Sequence, residues 1–197
     1  MASDGTLHSA FIDELRDTYD AEKQLTKALP KMAKAASSPE LRQAFEKHLN
    51  ETRTHVERLE AVFASIDEKA RGKHCDGMAG IMAEGKNKIR EDLDDATMDA
   101  CLIAAGQRAE HHEMAAYGTL AAWAKTMEHN EAANLLVMTL EEEKATDVKL
   151  TQIAEAGINH EAAVAAHPEM DGRTSSPRRK TRSSRRSSPR KSVTYSR

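Results

Sequence analysis

The chain has 197 residues, which is enough for one domain with a substantial core. Aromatic residues make up only 4% of it, which favours helices and argues against a β-sandwich or barrel. The two cysteines, Cys75 and Cys101, lack the CxxC spacing of a zinc ribbon. No apolar run approaches the roughly 18 residues of a membrane span, and no N-terminal stretch resembles a signal peptide. We therefore expect a cytoplasmic protein with no membrane partner.

The net charge of −3 conceals two oppositely charged parts of the chain. Residues 1–171 contain all 32 acidic side chains but only 19 of the 29 basic ones. Residues 172–197 contain ten Lys and Arg and no acidic residue. This asymmetry predicts an acidic body followed by a basic, disordered arm.

Apolar residues recur with the helical period in four long segments. We predict helices over about residues 6–35, 39–69, 97–127 and 131–156. The start of the second is marked by Ser38, which can cap the helix, and by Pro39, which suits the first helical position.

The connection lengths predict the topology. About three residues join the first two helices, and about three join the last two, so each pair forms an antiparallel hairpin. The link at residues 70–96 is long and has a short helical pattern of its own. Two hairpins joined by a long crossover indicate an all-α fold, the ferritin-like four-helix bundle. We assign residues 1–166 to this bundle and residues 167–197, which are rich in Ser, Arg and Pro, to a disordered basic tail.

Each predicted helix has a glutamate midway along its inward stripe: Glu22, Glu51, Glu113 and Glu143. The first two are 29 residues apart and the last two are 30 apart, so the hairpins look like repeats. Converging buried carboxylates raise one another's pKa values until protons or cations neutralise them. Hard metal ions suit such oxygen-rich sites, and the pattern therefore predicts a pair of bound metal ions.

Three further residues are candidate ligands. His55 and Asp147 each lie one turn beyond a predicted glutamate ligand, and Glu110 lies one turn before Glu113, where it is an added bridging or switching ligand. The alternative for each glutamate alone is a boundary residue whose carboxylate reaches water. We interpret His48 as a hydrogen-bonded or partly exposed structural residue, Tyr117 as a core aromatic and Glu142 as solvated.

Three segments resemble the YciF-like stress-response branch of the ferritin-like superfamily: residues 17–25 (DTYDAEKQL), 109–113 (AEHHE) and 140–147 (LEEEKATD). The similarity extends over about residues 6–165, with the four helices in order. It implies a ferritin-like bundle with a di-iron-type site, a bacterial origin and a homodimer. The wider superfamily has Glu-x-x-His on its second and fourth helices, whereas this chain has Thr54 and Thr146 at the histidine positions.

The leading hypothesis is a stress-linked protein with a di-iron centre, manganese being the alternative metal, that oxidises Fe(II) with dioxygen or peroxide. In this scheme Glu22 and Glu113 flank the ions and Glu51 and Glu143 bridge them. His55 and Asp147 complete the set. Metal binding is the firmer expectation, and the ferroxidase-type activity remains a hypothesis. The alternative is a non-enzymatic nucleic-acid-binding or protective dimer whose bundle is purely structural.

The arm predicts a nucleic-acid partner because its positive charges would neutralise phosphates and release counterions. The candidate contact residues are Arg178, Arg179, Lys180, Arg182, Arg185, Arg186, Arg190 and Lys191. The alternatives are a solubilising tail and a tail that docks on its own acidic body.

Overall fold

The computed structural model describes residues 5–167 and Glu169. All regular structure among these residues is helical. The long helices are α1 (Leu7–Ala35), α2 (Pro39–Ser65), α4 (Asp95–Thr126) and α5 (Asn130–Ile153), with the shorter α3 (Asp76–Lys88), a π-helical turn (Ala154–Ile158) and α6 (Asn159–Ala166). The all-α prediction is confirmed. Most of the predicted tail, including all eight predicted nucleic-acid contacts, lies outside the described residues.

Side-chain caps mark the starts of α1 to α4. Leu41 N donates to Ser38 Oγ at 3.3 Å, so α2 begins as the sequence predicts. The buried carboxylate of Asp99 accepts hydrogen bonds from the backbone N–H groups of Ser37 and Ser38 at 2.8 and 2.7 Å. These bonds fasten the α1–α2 turn to α4. They also satisfy two backbone N–H groups in the turn that have no hydrogen-bond partner within a helix.

The four long helices form a closed bundle. Helix α1 packs against α2, α2 against α5, α5 against α4, and α4 against α1. Short turns connect α1 to α2 and α4 to α5, whereas α3 lies within the long crossover and packs against α4 and α1. The predicted fold, two hairpins joined by a crossover with a short helix, is confirmed. None of the described helices has the length and apolarity needed to cross a membrane.

The core consists of two apolar clusters with a polar layer between them. One cluster contains Leu25 and Phe45, and the other contains Leu15 and Phe63. On each long helix, apart from Ala21, the buried residues of one cluster precede the polar positions and those of the other cluster follow them. The candidate functional residues therefore lie at mid-height in the bundle, enclosed by hydrocarbon on both sides.

Candidate metal centre

Six titratable side chains make up the polar layer, and none exceeds 2% exposure. Helix α1 contributes Glu22, α2 contributes His48 and His55, α4 contributes Glu110 and Glu113, and α5 contributes Glu143. The pairs on α2 and α4 are seven and three residues apart, which places each pair on one face of its helix. All four helices therefore aim acidic or imidazole groups at one small volume.

The six side chains form two groups of candidate ligands that share one carboxylate. In one group are Glu22, His55 and Glu143, and in the other are His48, Glu110, Glu113 and Glu143; within each group the ligand atoms lie within 4.8 Å of one another. Glu143 Oε1 is 2.9 Å from His55 Nδ1, whereas its Oε2 is 3.8 Å from His48 Nε2. The two oxygens of Glu143 therefore face different groups.

Most polar atoms of this layer have no hydrogen-bond partner. Among the described residues, ten buried side-chain nitrogen and oxygen atoms lack one, and eight of these belong to the six residues of the polar layer. Both oxygens of Glu113 and both of Glu143 are among them. His55 Nδ1 is close to two carboxylates, but neither contact has the direction of a hydrogen bond. Buried polar groups are normally satisfied, so the layer has the donor set of a site that holds cations.

The electrostatics of the layer agree with this interpretation. Burial, reinforced by the neighbouring Glu22 and Glu143 carboxylates, raises the pKa of Glu113 well above its usual value. Burial also raises the pKa values of Glu22 and Glu143, although their contacts with His55 oppose it. Burial lowers the pKa of His55, but contacts with Glu143 and Glu22 outweigh this and raise it to about 10. Without another cation, the carboxylates must therefore retain protons or rely on charged imidazoles.

Partners outside the layer hold two of its side chains in position. His55 Nε2 lies 2.8 Å from Glu142 Oε2, and Arg58 Nη1 donates to the same oxygen at 2.7 Å. A carboxylate on one ring nitrogen leaves the other nitrogen, here Nδ1, for a metal. The Tyr117 hydroxyl donates a hydrogen bond to Glu22 Oε1.

One of the sequence interpretations needs correction. Glu142 is not simply solvated, because it contacts His55 and its side chain is 38% exposed. Tyr117 is a buried core aromatic, as the sequence predicts, and its hydroxyl also donates to a carboxylate. His48 is buried and hydrogen-bonded, which agrees with a structural residue, and it also lies among the candidate ligands. The spacing gave usable signals, since His48 lies two turns before His55 and Tyr117 lies one turn after Glu113.

The structure brings five of the seven predicted ligands together: Glu22, His55, Glu110, Glu113 and Glu143. It leaves Glu51 and Asp147 outside both groups. The Glu51 side chain is 29% exposed and pairs with Lys47, and Asp147 Oδ1 faces His111 Nε2 at 3.3 Å. As metal ligands, all seven residues stay predictions.

Helical register explains why Glu51 lies outside the groups. The buried positions of α2 at this height are His48, Thr52 and His55, a step of four followed by a step of three. Thr52, which is 0% exposed, therefore occupies the inward position next to Glu51, and its hydroxyl donates to His48 O at 2.8 Å. Glu51 instead lines a cavity of about 450 Å³ between α2 and α5 that reaches His48 and Thr146.

With the fold and the site described, comparison with known proteins identifies the family. The family described as Domain of unknown function (DUF892) matches residues 6–163. The chain belongs to the DUF892 family. It is 46% identical to Protein YciF of Escherichia coli (strain K12) over 158 residues, which are 80% of this chain and 95% of that protein. The resemblance to YciF-like proteins is thereby confirmed.

Solved structures agree with this membership in the DUF892 family. The crystal structure of the E. coli stress protein YciF matches with a TM-score of 0.76 at 46% identity, covering 79% of this chain and 98% of that one. YcfI from Rhodopseudomonas palustris matches with a TM-score of 0.73 at 38% identity, covering 77% and 98%. A protein from Xanthomonas campestris pv. campestris, at 20% identity and a TM-score of 0.61, supports the fold alone, covering 83% and 99%.

Proposed function

We propose that the polar layer binds two metal ions, iron or manganese, with the carboxylate of Glu143 shared between them. One ion takes Glu22 and His55 as its other ligands, and the second takes His48, Glu110 and Glu113. The observation that carries this proposal is the set of eight buried atoms without a hydrogen bond, six of them carboxylate oxygens, in a layer between two apolar clusters. A buried hydrogen-bonded network would have satisfied these atoms internally.

The charges of the candidate ligands match two divalent ions. Four of the six side chains are carboxylates and two are imidazoles, which bind metals in the neutral form. Four negative charges balance two divalent cations, and this balance removes the repulsion that adds to burial in raising the pKa of Glu113. Carboxylate with imidazole suits iron and manganese, whereas the absence of sulfur from these groups disfavours soft metals.

A bound iron centre would supply the redox chemistry needed to oxidise Fe(II) with dioxygen or peroxide. The protein's own contribution is positional. Glu142 and Arg58 orient the imidazole of His55, and Tyr117 holds the carboxylate of Glu22. The cavity between α2 and α5 provides an approach for ions to His48, and the acidic Glu51 lines it. Because a homologue is named a stress protein, we assign this chain to a stress response as well.

Metal content provides the test. Apo-protein is loaded with Mn(II) or with Fe(II) under anaerobic conditions, desalted and measured by elemental analysis, and we expect two ions per chain. The Glu113→Ala, Glu143→Ala double variant should lose both, because it removes the shared ligand. A Glu141→Ala, Glu155→Ala control changes two exposed glutamates and should retain two ions. Unchanged metal content in the Glu113, Glu143 variant contradicts the proposal.

Oxygen consumption separates turnover from storage of the metal. On addition of Fe(II) to apo-protein in air, the ferroxidase hypothesis expects uptake of oxygen at a rate above that of the buffer and of the double variant. If the protein binds two ions but takes up oxygen no faster than the buffer and the double variant, the site is a sequestering or structural one.

A second proposed function concerns the basic arm and rests on the sequence. Ten positive charges and no acidic residue lie within residues 172–197. We propose that this arm binds the phosphate backbone of nucleic acid. A chain truncated after Asp171 should lose DNA affinity and the steep salt dependence that several phosphate contacts produce. Equal binding by the two chains contradicts this role. Analytical ultracentrifugation of the same two chains tests the predicted homodimer.

A further inference from the structure

A second group of metal-ligand side chains lies outside the polar layer, where the crossover meets the bundle. Asp17 comes from α1, Cys75 is the N-cap of α3, and His112 comes from α4. Their ligand atoms all lie within 4.8 Å of one another. Cys75 Sγ is 3.5 Å from His112 Nε2. Three elements that are distant in sequence therefore place sulfur, nitrogen and oxygen at one point.

The sulfur is held in place by the backbone around it. Cys75 N donates to Asp20 Oδ2 at 3.0 Å, and Gln24 Nε2 donates to Cys75 O at 3.1 Å. Met78 N in turn donates to Cys75 Sγ at 3.4 Å, so the thiol caps α3. The side chain is 1% exposed. Cys75 therefore has little freedom to turn away from the other two residues.

The imidazole has a fitted place beside this cap. A Cβ atom at Gly77 would lie 2.8 Å from His112 Cε1, closer than real contacts allow. Glycine at position 77 therefore lets the ring lie against the first turn of α3. His112 itself is partly exposed, as is Asp17, so ions from solvent can reach the group.

The surroundings of this group favour a cation. Glu14 faces both Asp17 and His112, and burial together with the charge of Asp17 raises the pKa of Glu14. Lys73, which also lies near Glu14, forms an ion pair with Asp13 at 2.6 Å. Two carboxylates and a thiol thus share a half-buried region whose nearby lysine is engaged elsewhere.

We propose that Asp17, Cys75 and His112 bind one Zn(II)-type divalent ion, separate from the iron or manganese of the polar layer. Thiolate, imidazole and carboxylate are the three ligand types that zinc takes in proteins, and three protein ligands leave a fourth position for water. Tetrahedral zinc holds its ligand atoms about 3.3–3.8 Å apart, so small side-chain shifts close the observed spacing. Cys75 binds as thiolate, and its proton passes to solvent.

A nucleophilic cysteine is the competing interpretation of the same three residues. It needs a thiolate at neutral pH, with the carboxylate on the far side of the imidazole from the sulfur. Burial and the neighbouring Asp17 carboxylate instead raise the pKa of Cys75 to about 11. Moreover, the carboxylate interacts with the thiol itself, and the three ligand atoms converge rather than forming a relay. The interaction of Asp17 with the thiol and the convergence of the three ligand atoms suit a bound cation better than a catalytic relay.

Cobalt provides a probe that distinguishes this group from the polar layer. Co(II) bound to thiolate shows a near-ultraviolet charge-transfer band, and the polar layer has no sulfur that could produce one. We titrate reduced, full-length apo-protein with Co(II), which the polar layer can also bind, and expect this band to saturate by three equivalents per chain and to vanish when excess Zn(II) is added. The band should remain in Cys101→Ser and be lost in Cys75→Ser.

Matched histidine variants test the second ligand. His112→Asn should weaken Co(II) binding at the thiolate at least tenfold, whereas His111→Asn, a change at the adjacent exposed residue, should leave it unchanged. Cys75→Ser retains an oxygen that can cap α3, so its helix content by circular dichroism should match the parent chain. If Cys75→Ser does not fold, the His112→Asn and Asp17→Asn variants decide the question, because both positions are partly exposed.

Three outcomes overturn the proposal: no thiolate band in the parent chain, a band that persists in Cys75→Ser, or equal Co(II) affinity in His112→Asn and His111→Asn. None of them bears on the polar layer. Manganese content of Cys75→Ser, measured in parallel, should remain at two ions per chain and reports on that layer alone.

Discussion

Replacing Glu113 by Gln tests the electrostatic account of the polar layer. Glu113 is fully buried, and neither of its oxygens has a hydrogen-bond partner. Glutamine has nearly the same shape, removes one of four converging carboxylates, and adds an N–H group that can donate to Glu22 or Glu143. We therefore expect Glu113→Gln to stabilise the metal-free protein while it weakens metal binding.

The magnitude follows from the partners that Glu113 lacks. A buried polar group without a partner costs about 1–3 kcal/mol, and more when it is charged. For a domain of this size, 1 kcal/mol corresponds to about 2–4 °C in melting temperature. We expect metal-free Glu113→Gln to melt roughly 2–12 °C above the parent chain at pH 8.

The pH dependence has a definite sign. The folded-state pKa of Glu113 lies above the unfolded value near 4.5. Its contribution to stability is therefore complete below that value and is lost as the pH rises toward the raised pKa. His55, raised to about 10 from 6.5, acts in the same direction above pH 6.5. The metal-free parent chain should melt lower at pH 8 than at pH 5, and Glu113→Gln should show a smaller difference.

These effects are measured by thermal unfolding monitored with circular dichroism. The protein is treated with chelator and melted at pH 5 and at pH 8, and it is melted again at pH 8 with Mn(II) added. Mn(II) should raise the melting temperature of the parent chain by more than that of Glu113→Gln. Glu141→Gln, at a side chain that is 63% exposed, serves as the control and should behave like the parent. A metal-free Glu113→Gln protein that melts below the parent at pH 8 refutes the reasoning.

Three further substitutions examine the surroundings of the site. Glu142→Gln should weaken Mn(II) binding about 10–100-fold without changing the number of ions, because it loosens the carboxylate on His55; isothermal titration calorimetry checks this. Tyr117→Phe should cost about 1.5–3 kcal/mol in urea unfolding at pH 7, since it removes a hydrogen bond to the buried carboxylate of Glu22. Gly106→Ala should change the free energy of unfolding by less than about 1 kcal/mol in the same assay, because the gain in helix propensity of about 1 kcal/mol opposes the 3.1 Å contact of the added methyl group with an α5 leucine.

Helix positions were predictable because helical periodicity and caps are local properties of the sequence. Ser38 and Pro39 marked the start of α2, and the two short turns required antiparallel hairpins. The ends were less accurate. Helix α2 ends at Ser65 rather than near residue 69. Two residues after this end, Asp67 adopts a positive φ of 56° and turns the chain into the crossover. A single residue in that conformation has no periodic signature.

The membership of the site was only partly predictable from the same patterns. Glu22, Glu113 and Glu143 lie on clean inward stripes, and the structure brings them together. On α2 the inward stripe can be drawn through either of two adjacent residues, and a shift of one position rotates a side chain by about 100°. The tertiary packing selects Thr52 and leaves Glu51 at the cavity.

The Cys75 group was not predictable, because its residues come from three elements whose meeting depends on the path of the crossover. In the sequence, His74, Cys75 and Asp76 look like a polar loop, and His112 looks like a neighbour of Glu113 with no further role. Only the packing of α3 against α1 and α4 brings the cysteine to that histidine. Local patterns predict which side chains face inward, but not which elements a long connection will join.

The position of the polar layer also separates the proposed metal binding from folding. The layer lies between two apolar clusters, which contain 18 and 13 buried residues respectively and bury large side chains such as Phe45 and Phe63 completely or nearly so. Burial of each such side chain contributes about 1.5–3 kcal/mol, so the clusters can hold the bundle together without any ion. Small metal-dependent domains lack such cores and unfold when the metal is removed. Here the repulsion among the carboxylates is a local cost that the packed clusters offset, so the proposed ligands would be preformed before any ion binds.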